Sequence, residues 1–314
     1  MEFLVEIGDS IYDITEIVTD ISYTDNLNDG CSKLSFSYLR QKDMTVGNGS
    51  VVRFKYNGVN IFYGYVFKVE VSSDNQINVT AYDQLRYAKA KDTIVVSSDT
   101  VGSLIKKMCN YFGLTPGTIE DTGYTLPLAV QDDKTWLDII YDAIGTTLVG
   151  TGNKYALRDE FGSITLRDLD NLGTTLVLGD QSLVYDYSYS KSIDDEFYNQ
   201  IKLASDNEST GRRDTFIVRD GNSLAKYGLL QYFEVLDKNV NQSQAIDKAN
   251  KLLKLYNQEV ETLSLSCIGD TSIRAGNSFY ASIEDIKMNK RLIVKSVTHN
   301  FLPNHTMDLE VMLW

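Results

Sequence analysis

Gly49-Ser50-Val51-Val52-Arg53-Phe54, the turn signal Tyr56-Asn57-Gly58, Gly64-Tyr65-Val66-Phe67-Lys68-Val69 and Ile77-Asn78-Val79-Thr80 read as three consecutive strands. A similar trio closes the chain. There Gly276-Asn277-Ser278-Phe279-Tyr280 leads into Arg291-Leu292-Ile293-Val294-Lys295-Ser296-Val297 and then Met307-Asp308-Leu309-Glu310-Val311, with nearly the same spacing. Copies of a solenoid unit adjoin at short period, so an echo this far apart predicts two copies of one β module. Duplication of such a module suggests a symmetric assembly.

Outward from these trios, residues 1 to about 92 read as strands, with Phe3-Leu4-Val5-Glu6-Ile7 and the alternating Leu34-Ser35-Phe36-Ser37-Tyr38 before the first trio. Ala81 to Tyr87 is expected to turn helical. Asp99 or Thr100 then caps an amphipathic helix with Val101, Leu104, Ile105, Met108 and Phe112 on one face, ended by Gly113. A second helix follows Asp132-Asp133, with Trp136, Leu137, Ile140, Ala143 and Ile144 on its apolar face and Gly145 near its end. Tyr155–Asp159 and Ser163–Arg167 look like a hairpin around Glu160-Phe161-Gly162. Strands resume at about 175, interrupted by a capped helix at about 243–257. The expected fold is mainly β with an α+β middle domain. A first tube-like β-barrel spans 1–92, the middle domain 93–174, and a second tube-like barrel with a packed helix 175–314.

With 314 residues, 43% of them hydrophobic, two or three domains can each bury a core. Twenty Tyr and three Pro favour extended aromatic faces over linkers. A formal charge of −13 argues against a nucleic-acid-binding surface, and the nearest basic cluster, Arg212-Arg213 between Asp206-Asn207-Glu208 and Asp214, reads as a solvated loop. The acidic start Met1-Glu2-Phe3-Leu4-Val5-Glu6 does not fit a signal peptide, and no segment has transmembrane length, so the chain is expected to begin in the cytoplasm of its maker. Cys31, Cys109 and Cys267 read as free buried thiols.

Residues that carry chemistry are sparse. His299 and His305 flank Phe301-Leu302-Pro303-Asn304 without a third metal ligand close in sequence, and read as polar tips at a strand end. Asp168-Leu169-Asp170-Asn171-Leu172-Gly173 opens like a calcium loop, yet has Leu172 at its fifth position and Gly179 at its twelfth. Asp194-Asp195-Glu196 offers carboxylates for glycoside hydrolysis, but adjacent strand residues face opposite sides and a solvated turn is expected. Val184-Tyr185-Asp186-Tyr187-Ser188-Tyr189 places three phenols on one face, for packing or for a ligand. No Walker loop, glycine fingerprint or nucleophile elbow occurs. No catalytic, cofactor-binding or metal site is expected, and no enzyme.

Several longer phrases resemble the XkdQ/YqbQ family of PBSX-like phage elements, which has the fold of phage tail hubs and late control D proteins. They are Ala81–Tyr87, Ser192–Leu203, Lys226–Gln231, Gly269–Asn277, Val297–Phe301 and His305–Leu309. The resemblance implies the baseplate hub of a contractile tail, in a phage or a phage-tail-like bacteriocin. Such a hub is a homotrimer whose six barrels match a six-fold tail tube to a three-fold spike. Its implied partners are the tail tube protein, the central spike and the wedge proteins, with a tape measure protein as a candidate occupant of the lumen. Sequence-specific nucleic-acid binding and membrane insertion are not implied. An acidic lumen wall would repel DNA or acidic cargo. The rival readings are a tail-associated peptidoglycan hydrolase, suggested by the abundance of Asp and Glu, and a carbohydrate- or receptor-binding tail module, suggested by the Tyr alternation.

Overall fold

A computed structural model describes residues 1–313 apart from 43, 72, 74, 195, 208–210 and 237–239. The chain forms two compact units, Met1–Ser188 with Leu263–Trp314, and Tyr189–Thr262.

The larger unit opens with β1 (Glu2–Ile7), β2 (Ser10–Asp13), β3 (Val18–Asn26), β4 (Lys33–Leu39), β5 (Val51–Tyr56), β6 (Val59–Val71) and β7 (Gln76–Tyr82). Alternation decides which face is buried. Leu34, Phe36 and Tyr38 of β4 and Ile77, Val79 and Ala81 of β7 point into a core with Phe3, Phe54 and Phe62, while Ser35, Ser37, Asn78 and Thr80 point away. A 3-10 turn, Gln84–Lys89, follows, capped by the Asp83 carboxylate.

Next come β8 (Lys91–Val96), α1 (Val101–Phe112), β9 (Pro116–Ile119), β10 (Ala129–Thr135), α2 (Trp136–Thr151), β11 (Tyr155–Asp159) and β12 (Ile164–Asp168). Thr100 and Ser103 form a reciprocal capping box on α1, and Gly113 ends it in the left-handed conformation. The second helix starts later and runs further than its sequence pattern suggests. Asp132 and Asp133 lie in β10, Thr135 is the N-cap, and Gly145 sits inside α2, which stops at the left-handed Gly152. The apolar faces of both helices share a core with Leu157, Ile164 and Leu166.

The chain continues through β13 (Gly173–Gly179) and β14 (Val184–Ser192). The smaller unit contains β15 (Gln200–Asn207), β16 (Arg212–Arg219), α3 (Gly221–Tyr227), β17 (Gln231–Val235) and α4 (Gln242–Tyr256). Its sheet runs β16-β15-β17, with α4 against β15 and β16. Arg212-Arg213, expected in a loop, begins β16, because β15 pairs with that strand through Asn207 opposite Arg212. The sequence pattern missed α3, although Asp220 caps it and Gly228 follows it.

The last strands are β18 (Val260–Ile268), β19 (Ser278–Ile283), β20 (Met288–Asn300) and β21 (Thr306–Leu313). The main sheet runs β14-β18-β21-β20-β3-β4-β7-β6-β5-β1-β2, with β19 beside β20 and β13 beside β19. Two tube-like β-barrels were expected. Among the described residues the pairing is instead one path with open ends, because Ser296–Asn300 of β20 pair with Ser22–Asn26 of β3 and merge the two modules. No described helix is long and apolar enough to cross a membrane.

Candidate assembly surface

The echo in the sequence has a structural counterpart that extends to single hydrogen bonds. β6 and β20 both have 13 residues and both follow a six-residue partner, β5 or β19. Each long strand carries an irregularity after a valine. Val66 pairs with Ala81 and Lys68 with Thr80, while Val294 pairs with Val311 and Ser296 with Glu310. At the same place Gly49 N–H donates to Val66 O at 2.8 Å, and Gly276 N–H to Val294 O at 2.7 Å. Val66 N–H donates to Ser50 O, and Val294 N–H to Asn277 O, both at 2.9 Å. Gly49 has φ +87° and Gly276 φ +83°, left-handed conformations that an L side chain rarely adopts. The order β5-β6-β7-β4-β3 thus recurs as β19-β20-β21-β18-β14.

Along β20-β3-β4-β7 the middle of the face turned away from the core is short and polar. Ser296, Thr298, Ser22, Thr24, Ser35, Ser37, Asn78 and Thr80 occupy it, and Ser264, Ser266, Asp308 and Glu310 extend it over β18 and β21. Thr24 and Thr298 meet Oγ to Oγ at 3.2 Å where the modules join, and Ser37 Oγ donates to Asn78 Oδ1 at 2.7 Å. Its charges are largely paired. Lys68 lies 2.8 Å from Glu70 and Lys295 2.8 Å from Glu310, while Ser266 donates to Asp308 at 2.7 Å.

The opposite face carries the join itself. Phe301, just past β20, is buried in the first module, with its ring 4.8 Å from Phe54 and 5.0 Å from Tyr56. His299, read as a polar tip at a strand end, is buried beside Tyr23, where β20 pairs with β3. Its Nε2 lies 2.9 Å from Ile273 O and its Nδ1 3.0 Å from His305 Nε2. Since a carbonyl only accepts, His299 Nε2 carries the proton and Nδ1 accepts from His305. Burial pushes His299 down to about 4.

A polar cluster ties three segments of the larger unit together. Asp83 accepts from Ser32 N at 2.8 Å, Ser32 Oγ at 2.6 Å and Leu85 N at 3.0 Å. Asp159 accepts from Gln84 N at 3.1 Å and Gly162 N at 2.6 Å. Arg274 Nε donates to Asp25 at 2.9 Å and its Nη1 to Asp159 O at 3.0 Å, while Arg158 donates to Ala275 O. Burial, then mutual repulsion, raises Asp83 above the ordinary carboxylate range, and burial raises Asp159. Burial opposes the charged form of Arg274, yet Asp25, Tyr23 and Asp83 together outweigh it and the guanidinium is held more firmly charged.

The other residues singled out in the sequence sit in local arrangements of their own. Asp168 caps the 3-10 turn Leu169–Leu172 through Asp170 N at 3.0 Å. Asp194 N–H donates to Ser192 Oγ at 3.0 Å, Glu196 adopts φ +53°, and Asp195 lies outside the described residues. Tyr185 is 63% exposed, whereas the Tyr187 hydroxyl meets Asp285 at 3.2 Å and the Tyr189 hydroxyl meets Glu261 at 3.0 Å. Cys31, Cys109 and Cys267 are free, with thiols pushed up by burial to about 11, 11 and 12. Among the described residues no group of three or more His, Cys, Asp or Glu is placed to hold a metal. What the arrangement offers is a large sheet face and strand edges.

This fold is shared with proteins of phage tails and of secretion machines. The 43 kDa tail protein of prophage MuSo2 from Shewanella oneidensis superposes with TM-score 0.72 at 12% identity, over 100% of this chain and 98% of its own. An E. coli type VI secretion component, c3393, described as similar to the T4 tail proteins gp27 and gp5, gives TM-score 0.58 at 10% identity, over 95% of this chain and 74% of its own. Sequence relatives are closer. The uncharacterized protein YqbQ of Bacillus subtilis is 31% identical over 85% of this chain and 82% of its own length. The PBSX phage-like element protein XkdQ of the same organism is 29% identical over 87% and 85%. The YQBQ-like family model matches residues 21–312, and the chain belongs to that family.

Proposed function

We propose that this protein is a structural hub of a phage-type tail baseplate. Three copies, each carrying two related β modules, would form a ring of six modules that meets a six-fold tube on one side and a three-fold spike on the other. The observation that carries this reading is the duplication, in which the Gly49–Val66 and Gly276–Val294 hydrogen bonds and the same order of five strands occur twice in one chain. Support comes from the relative XkdQ, whose name places it in a phage-like element, and from a fold shared with tail proteins.

In this reading residues 1–92 and 175–314 supply the ring and residues 93–174 face the wedge or spike proteins. The polar face of the main sheet lines the lumen. Short hydroxyls and paired charges give passing DNA, or a tape measure chain, little to adhere to, and the carboxylates add weak repulsion of acidic cargo. The role is mechanical and needs no catalytic group. The protein would be assembled in the bacterial cytoplasm and released as part of the tail.

The test is to purify sedimentable tails from producing cells and count this chain by quantitative mass spectrometry against the tube protein. Three copies per tail are expected. Absence from the particle, or a count in the range of the tube protein, overturns the hub reading.

A further inference from the structure

Inside the chain, β20 serves two neighbours along one edge. Its first half pairs with β19, and beyond the irregularity Ser296–Asn300 pair with β3. In the first module the corresponding edge of β6 pairs with β5 only as far as Tyr65, and Val66 bonds Ser50 and Gly49. Beyond it, Lys68–Val71 have a partner strand only on the β7 side among the described residues, and Val71 is 63% exposed. The strand in the second module that corresponds to β3 is β14. It has one strand neighbour, β18, among the described residues. Its burial pattern, two exposed residues after the first and then alternation, follows that of β3 as far as Ser190. The amides correspond too. Leu39 N–H donates to Ile17 O at 3.0 Å, and Ile268 N–H to Leu183 O at 2.9 Å.

Two complementary edges are therefore left over, and their counterparts already pair with each other inside the chain. Resting on the hub reading, we infer that the partner at these edges is a second copy of this chain. Lys68–Val71 of one copy pair antiparallel with β14 of the next, as Ser296–Asn300 pair with β3. The two kinds of junction differ in strength. The intrachain one is pinned by Phe301 and by the Arg274–Asp25 ion pair. Counting from the irregularities, Phe301 corresponds to Ser73, and counting from Gly276 and Gly49, Arg274 corresponds to Gly47. The seam between copies thus rests mainly on backbone hydrogen bonds, whose net worth is small, and closes only when the tube or spike holds the copies in place.

The experiment puts a photoreactive benzoylphenylalanine in place of Val71 in the full chain, within cells that supply the rest of the tail. Irradiated particles should give covalent dimers and trimers whose cross-linked peptide contains Val184–Lys191. The purified chain alone, at equal concentration, should lose most of that ladder. Particles that hold three copies but cross-link elsewhere, or not at all, overturn the seam and leave the hub standing. An equal ladder from the isolated chain overturns its dependence on assembly. Particles without the chain overturn the hub reading, and the seam with it. If the Val71 variant does not enter particles, the same probe at Lys68 reads the same edge with the same outcomes.

Discussion

At the scale of single residues, the buried carboxyl and imidazole groups respond to pH in opposite directions. His299 is held at about 4 against an ordinary 6.5, so the folded state binds fewer protons than the unfolded state. Its contribution is present above pH 6.5 and is lost as pH falls towards 4, by about 3 kcal/mol for a shift of that size. Asp83 is displaced upward, so its contribution is largest at low pH and is lost as pH rises from the ordinary carboxylate range towards its raised value. Substituting Asp83→Asn removes only the second term. Thermal unfolding of D83N and wild type at several values between pH 5 and 8 should show the variant gaining on wild type as pH rises, and a constant gap would refute the assignment. These residues were not legible as a cluster in the sequence. Asp25, Asp83, Asp159 and Arg274 are scattered along the chain, and contacts distant in sequence bring them together: Gln84 N–H beside Asp83 donates to Asp159, and Arg274 reaches Asp25 and Asp159 O. The histidine pair was noticed, but its burial depends on the pairing of β20 with β3.

At the scale of elements, the join between modules concentrates stability in few side chains. Phe301 is 1% exposed, and Phe301→Ala should cost about 3–5 kcal/mol, read as a shift of the denaturant midpoint without a large change in slope. The two corresponding glycines should separate under one substitution. A Cβ at Gly49 meets nothing within 4 Å, whereas at Gly276 it comes within 3.1 Å of Arg158 Nη2 and Leu169 Cδ2. Both alanine variants carry the left-handed strain of about 1 kcal/mol, and Gly276→Ala should cost at least about 1 kcal/mol more by equilibrium unfolding. Equal losses would mean that the neighbours yield freely. Periodicity and caps made α1 and α4 readable almost to the residue, since Thr100, Gly113 and the apolar spacing act locally. The start of α2 was not readable, because β10 pairs with β8 through Gln131 and through Lys134 and Thr135, which holds Asp132 and Asp133 between them in an irregularity of the strand. Short strands such as β8 and β9 take their conformation from partners distant in sequence.

At the scale of the whole molecule, the duplication was legible because turn glycines and alternating strands repeat in order, whereas the merger of both modules into one sheet was not. Nothing in the composition of β20 announces that it will share an edge between β19 and β3. If the polar sheet face lines a conduit, adding charge there should spare folding and harm delivery. Ser35→Arg with Ser264→Arg should stay within about 0.5 kcal/mol of wild-type stability. Tails should assemble in normal numbers, with at least tenfold less DNA transfer or killing per particle, and unchanged delivery would move the lumen to another surface. The shared strand also has a consequence for biosynthesis. Thr24 meets Thr298 across 274 residues. At roughly 5–20 residues/s a ribosome needs about 15–55 s to make that interval. Throughout it β3 presents an unsatisfied edge beside an aromatic core that still lacks Phe301, so a nascent chain that pauses before β20 and β21 is a hazard to its neighbours. Synthesis of β20 and β21 is the step that satisfies that edge.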